Sequence, residues 1–279
     1  MSYNTSTRQT KENVELFQQI WQPEGEIKAV ICLIHGLGEH SSRYQHVAEY
    51  YQSKGYVVSA FDLRGHGKSQ GQRGHFANLE TALDDIRVFI DSTISKFPGK
   101  PVFLYGHSLG GVMVLNYALK IKNNLTAVIA TSPGLATGDK VAPWKLSLGK
   151  LLYSIVPTFS MANGLDVENI SRDKEVVRKY KTDPLVHDQI TARFGLDFLN
   201  AGLWASEHTR EFNLPLLLMY GTGDHIVSCD AIRAFAAAAP HVTFREWDGF
   251  FHELHNEPEK AEVFEFTDQW MQSQISKTP

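Results

Sequence analysis

The chain has 279 residues, 43% of them apolar and 11% aromatic, with a formal net charge of −4. That length and apolar content suit one large core, an α/β domain with an insertion, and do not require two full domains. The 27 basic residues are scattered, with no run that would track a phosphate backbone, so nucleic acid is not an expected partner.

From the N-terminus, the segment 1–15 is polar and lacks the apolar stretch of a secretory signal. No apolar run approaches the roughly 20 residues that cross a bilayer, so a soluble, cytoplasmic protein is expected. Short runs rich in Val and Ile at 29–34, 56–61, 102–105, 127–130 and 216–220 read as strands buried on both faces of a parallel sheet, with a further strand around 243–247. Between them Leu79, Leu83, Ile86, Ile90 and Ile94 recur at helical spacing and stop before Pro98. Further helices are predicted over 47–54, 112–121 and 230–239, and from 259 onward with Val263, Phe266 and Trp270 on one face. The rhythm breaks once. From 135 to about 206 no convincing strand occurs, and Leu148, Leu151, Leu152 and Ile155 form an apolar stripe that ends at Pro157. Too long for an ordinary loop, this segment reads as a helical insertion over the strand ends, leaving 1–134 and 207–279 as the core. Cys32 and Cys229 have no metal or disulfide spacing and read as buried thiols; no metal or cofactor is expected.

Gly106-His107-Ser108-Leu109-Gly110 follows a predicted strand and precedes a predicted helix, the context that a G-x-S-x-G turn needs to present its serine. The glycines remove Cβ atoms that would collide in so sharp a turn, and the helix aims its free N–H groups at the serine oxygen. A serine hydroxyl attacks only when an imidazole takes its proton, and that imidazole needs a carboxylate to fix its tautomer. In the chain order Ser, acid, His, the acid is Asp224, on the loop Gly221-Thr222-Gly223 after a strand; Asp230, in a predicted helix, and Asp248, in a turn, are the alternatives. His252 is the first histidine after the following strand, with His255 three residues on. Two N–H donors for an oxyanion are expected from Leu109 and from Leu37, the latter in the turn His35-Gly36-Leu37-Gly38.

Taken together, HGLGEHSSRY at 35–44, FDLRGHGKSQG at 61–71, GHSLGG at 106–111, GTGD at 221–224 and HELHNE at 252–257 resemble the monoglyceride lipases and related lysophospholipases, along nearly the whole chain except the insertion. The resemblance implies an α/β-hydrolase fold, a mostly parallel sheet flanked by helices, and a serine carboxylester hydrolase acting on small lipid esters, monoacylglycerols above all. It also implies that Glu39, Arg43 and His255 contribute polar groups at the glycerol end of the pocket. The insertion would be a lid whose apolar face meets lipid surfaces transiently. A lysophospholipase, a general esterase, or a binding protein on the same scaffold are the alternatives.

Other patterns fail. Gly67-Lys68-Ser69 lacks the glycine five positions earlier that a phosphate loop needs, and Gly36-x-Gly38 and Gly221-x-Gly223 lack the third glycine of a dinucleotide site. Asp62, Arg64 and His66 read as residues that hold loops together beneath the elbow.

Overall fold

A computed structural model describes residues 1–138 and 143–277; residues 139–142 of the expected insertion and 278–279 of the expected core lie outside it. The chain runs β1 (Ser2–Gln9), β2 (Glu15–Gln22), β3 (Ala29–Ile34), α1 (Gln45–Ser53), β4 (Tyr56–Phe61), α2 (Leu79–Ile94), β5 (Val102–His107), α3 (Leu109–Lys120) and β6 (Ala127–Thr131). Then follow α4 (Pro143–Ile155), β7 (Ser160–Ala162), α5 (Lys174–Thr182), β8 (Gln189–Thr191), α6 (Ala192–Glu207), β9 (Leu216–Gly221), α7 (Cys229–Ala238), β10 (Val242–Trp247) and α8 (Lys260–Ile275). Eight strands form one sheet in the order β1-β2-β4-β3-β5-β6-β9-β10, parallel from β4 to β10 with an antiparallel pair at the β1 edge.

Side chains alternate across this sheet, so each strand feeds two cores. Val30, Cys32, Ile34, Leu104, Val128 and Leu218 face α2, α3 and α7, while Ile31, Leu33, Phe103, Ile129, Leu217 and Met219 face α1 and α8. That is why the strands read as continuous apolar runs. The helix predicted from Leu79 is observed from that residue, its first turn capped by Asn78 Oδ1 on Thr81 N at 2.8 Å. Helix α3 starts earlier than periodicity suggested, because Gly110 and Gly111 occupy helical positions that carry no apolar signal.

The first two strands were not anticipated. In β2 the core positions include Gln18 and Gln19, whose amides bond Ser59 Oγ at 2.9 Å and Ser41 Oγ at 2.6 Å. Satisfied polar residues took apolar places and hid the pattern.

Between β6 and β9 the chain leaves the sheet for α4, α5, α6 and the small antiparallel pair β7 and β8, whose three residues each are too few to show a period in sequence. Main-chain bonds fasten this segment to three loops. His187 N donates to Gly38 O at 2.9 Å, Thr191 N to Gly74 O at 2.9 Å, and Glu253 N to Ile170 O at 2.8 Å. Its outer helix α4 is different, leaving Leu148, Leu151 and Ile155 exposed.

Candidate active site

Strand β5 ends at His107 and α3 begins at Leu109, so one residue makes the turn: Ser108, with φ 55° and ψ −113°. A non-glycine residue held there costs about 1–3 kcal/mol and persists only where its surroundings leave no alternative. They leave none. A Cβ on Gly106 would lie 2.2 Å from Gly110 O, and one on Gly110 would lie 2.2 Å from Ile34 O. Ser108 N donates to Thr131 O at 3.0 Å, and Ser108 O accepts from Gly134 N at 3.2 Å. The loop after β3 lies against the serine, since a Cβ on Gly36 would be 3.3 Å from Ser108 Cβ. Among the described residues neither Leu37 N nor Leu109 N has a hydrogen-bond acceptor. Leu109, as the first helical residue, has none to offer itself.

Asp224 stands on the loop after β9, fixed by its own N–H to Gly221 O at 3.0 Å. Its Oδ1 accepts from Ile226 N at 2.8 Å and Val227 N at 3.1 Å, and its Oδ2 lies 2.7 Å from His252 Nδ1. Both side chains are buried. Burial alone would push the His252 pKa down, but the Asp224 charge and hydrogen bond more than offset it, so the pKa lies above the ordinary 6.5. Burial likewise raises the Asp224 carboxyl; the His252 interaction and the two backbone donors outweigh this, leaving it below 3.8. The alternatives lie elsewhere: Asp230 pairs with Arg233 at 3.0 Å, and Asp248 accepts from Thr222 Oγ1 at 3.1 Å. With Nδ1–H given to the carboxylate, His252 Nε2 is the basic lone pair. No hydrogen bond joins Ser108 Oγ to His252 among the described residues; in enzymes free of substrate such bonds are often long.

Glu39, Arg43 and His255 are brought together, with their side chains largely buried. Arg43 forks onto Glu253, with Nη1 to Oε1 and Nη2 to Oε2 both 2.7 Å, and also pairs with Glu39. Glu39 Oε1 accepts from Gly36 N at 2.6 Å and from Tyr44 OH at 2.7 Å. The ring of Tyr180, from α5, lies 4.6 Å from the Arg43 guanidinium. Burial raises the Glu253 carboxyl, yet the Arg43 charge and fork hold it below its ordinary value. His255 is 0% exposed, stacked on Tyr44 at 4.5 Å and edge-on to His107 at 4.9 Å, so in this conformation it forms no wall open to a ligand. Burial, then the neighbouring His107 and His46, keep it neutral with a pKa well below 6.5.

Glu253 and Tyr180 had not been singled out. Glu253 bonds a residue 210 positions away, and no local pattern signals that pairing. Asp62 does hold loops together: Oδ1 accepts from Ser41 N at 2.8 Å and Oδ2 from Lys68 N at 2.8 Å. Arg64 is forked onto Asp85 at 2.9 Å through both Nε and Nη2. His40 Nε2 lies 3.0 Å from Asp183 Oδ2, joining the expected oxyanion loop to the segment 183–186. Cys32 is buried as expected, whereas Cys229 is only half-buried, because it lines a cavity of about 260 Å³ beside Asp224 that does not reach Ser108.

A strained serine, a carboxylate-paired imidazole and free N–H groups at the carboxyl ends of parallel strands make up the arrangement used in acyl transfer. A model of the family described as serine aminopeptidase, S33, matches residues 25–259. The chain belongs to this family. It is an α/β-hydrolase, and several of its relatives carry lipase names. It is 31% identical to a monoacylglycerol lipase of Mycolicibacterium smegmatis, over 94% of each chain. An uncharacterized abhydrolase domain-containing protein of Dictyostelium discoideum is 36% identical over 99% of this chain, which spans only 30% of that protein. The crystal structure of a Paleococcus ferrophilus monoacylglycerol lipase superposes with a TM-score of 0.83 at 36% identity, covering 94% of this chain and 99% of that one.

Proposed function

We propose that this carboxylic ester hydrolase cleaves monoacylglycerols to fatty acid and glycerol through an acyl-enzyme on Ser108. The observation that carries the reading is the 2.7 Å bond from His252 Nδ1 to Asp224, near a serine held at φ 55° in a chain similar to proteins named monoacylglycerol lipase. As Ser108 Oγ bonds to the acyl carbon, its proton passes to His252 Nε2 and the carbonyl electron pair moves onto oxygen. Leu37 N–H and Leu109 N–H receive that oxyanion. Asp224 stabilises the imidazolium, which then protonates the departing glycerol oxygen. Water, deprotonated by the same imidazole, attacks the acyl carbon; as the bond from that carbon to Ser108 Oγ breaks, the imidazolium returns the proton to Oγ and the fatty acid leaves.

The substrate is delivered from a lipid surface. Leu151 and Ile155 of α4 are 55% and 68% exposed, with Leu148 and Phe159 nearby in sequence, an apolar patch on the segment 135–206 that we read as a lid. No helix among the described residues is long and apolar enough to cross a membrane.

The family description favours a second reading, cleavage of an aminoacyl amide, which needs the same three side chains. A panel of monoacylglycerol, lysophospholipid, acyl p-nitrophenyl ester and aminoacyl p-nitroanilide separates the readings. Monoacylglycerol is expected to give the highest kcat/KM. Preference for the anilide or the lysophospholipid would replace the substrate proposed here, and unchanged turnover by Ser108→Ala would remove the mechanism.

A further inference from the structure

We infer that Glu39 is a positioning residue of the oxyanion hole: by accepting the Gly36 N–H it fixes the turn Gly36-Leu37, so that Leu37 N–H faces the carbonyl oxygen attacked through Ser108. The inference rests on Ser108 being the nucleophile. It differs from the role at the glycerol end of the pocket that resemblance implies for this side chain.

Geometry carries it. Glu39 is buried, and its Oε1 lies 2.6 Å from Gly36 N, the peptide immediately before the donor. Gly36 is enclosed between two groups: a Cβ there would meet Glu39 Oε1 at 2.8 Å on one side and Ser108 Cβ at 3.3 Å on the other. The carboxylate and the serine therefore grip one backbone unit. A buried N–H must find an acceptor, and an ionised acceptor bonds about twice as strongly as a neutral one. Glu39 is itself held from two directions, Tyr44 OH donating to Oε1 at 2.7 Å and Arg43 to Oε2. Arg43 in turn is forked onto Glu253 at 2.7 Å, the residue next to His252. One buried chain of charge thus spans from the loop that supplies the oxyanion donor to the loop that supplies the base. Preorganisation of this kind lowers a barrier because the donor is already aimed when charge develops.

A glutamine at 39 keeps the shape but not the pattern of acceptors. With its oxygen toward Gly36, its NH₂ faces the Arg43 guanidinium, donor against donor; flipped, the NH₂ faces Gly36 N–H. Aspartate keeps the charge but is one methylene short of the peptide. Misaiming one donor is expected to cost less than deleting it, which lowers kcat about 100- to 1,000-fold in other hydrolases.

The test compares Glu39→Gln, Glu39→Asp and Tyr44→Phe with the full-length parent on two substrates sharing one acyl chain, a monoacylglycerol and a p-nitrophenyl ester that has no glycerol. Both Glu39 variants are expected to lower kcat roughly 30-fold on both substrates, with KM within threefold, and to slow phosphonate labelling of Ser108 by a similar factor. Tyr44→Phe, which removes only a support of the carboxylate, should lose a few-fold on both. A rise in KM confined to the monoacylglycerol would overturn the inference in favour of glycerol recognition, as would restored kcat in Glu39→Asp or unchanged constants throughout. If thermal melting shows the Glu39 variants unfolded, Tyr44→Phe decides by the same split between substrates. Failure of the nucleophile assignment is read separately, as turnover by Ser108→Ala.

Discussion

Two regions of this molecule invert the ordinary rule of burial, in opposite senses. Around Ser108 the interior holds charge: Glu39, Arg43, Glu253 and Asp224 are buried or nearly so, every one of them paired. On the outer helix α4 of the insertion, apolar side chains face water. The first departure is tolerable because forked and charge-assisted bonds replace hydration, and breaking such a buried pair by removing one partner costs about 3–5 kcal/mol. The second is tolerable because scattered exposed Leu and Ile side chains cost a folded chain little. Both depart from the pattern that core stability alone would select, and such departures are where functional sites are expected.

The comparison makes the two regions separable by mutation. Ser108→Ala should lower kcat on the order of 10⁶-fold on every ester, with the circular dichroism spectrum unchanged. Asp224→Asn should cost about 10⁴-fold, since the amide presents the wrong tautomer of His252; a loss below tenfold would point to another acid. The pH profile follows from the same pair. His252 must be neutral to take the Ser108 proton, and its pKa is raised above 6.5, so kcat/KM should fall tenfold per unit once pH drops below a midpoint that lies above 6.5. A midpoint below that value would break the link to Asp224.

Changes on α4 should be smaller and conditional. The double variant Leu151→Ser and Ile155→Ser is expected to lose several-fold activity on monoacylglycerol in vesicles and none on a soluble p-nitrophenyl ester. Its stability should stay within about 0.5 kcal/mol of the parent, as for exposed positions generally. Equal losses on both substrates would place the patch in the catalytic region instead.

An effect on stability, not on turnover, belongs to the buried imidazoles. His35 and His107 are pushed by burial to pKa values of about 3, and burial also holds His66 and His255 well below 6.5. Folded, these groups stay neutral where the unfolded chain binds protons, so stability should decline as pH falls below 6.5 toward 3. His252 acts in the opposite sense, its raised pKa adding stability that is lost as pH rises through it, but it is one group against seven histidines held below 6.5. Melting temperatures measured from pH 7 to 4 should fall steadily; a flat series would mean that these histidines are hydrated.

Much of this could be read before any coordinates. The apolar runs at β3 to β6 and β9 are continuous because both faces of each strand are covered, and the glycines about Ser108 announce a turn with no room for side chains. What escaped reading had no local signature. Strand β2 hid behind buried glutamines, the pair β7 and β8 was too short for a period, and Cys229 lay at a cavity wall that composition does not reveal.

Sequence alone determined the order of Ser108, Asp224 and His252 and the strand ends that would carry them, because periodicity and glycine spacing are local physics. Only the tertiary structure decided that Asp224, not Asp230 or Asp248, meets His252. It also decided that Glu39, Arg43 and Glu253 form one buried network behind the site. Those contacts join residues up to 210 positions apart, and a pairing of that kind is fixed by how the loops of a sheet converge, not by any pattern along the chain.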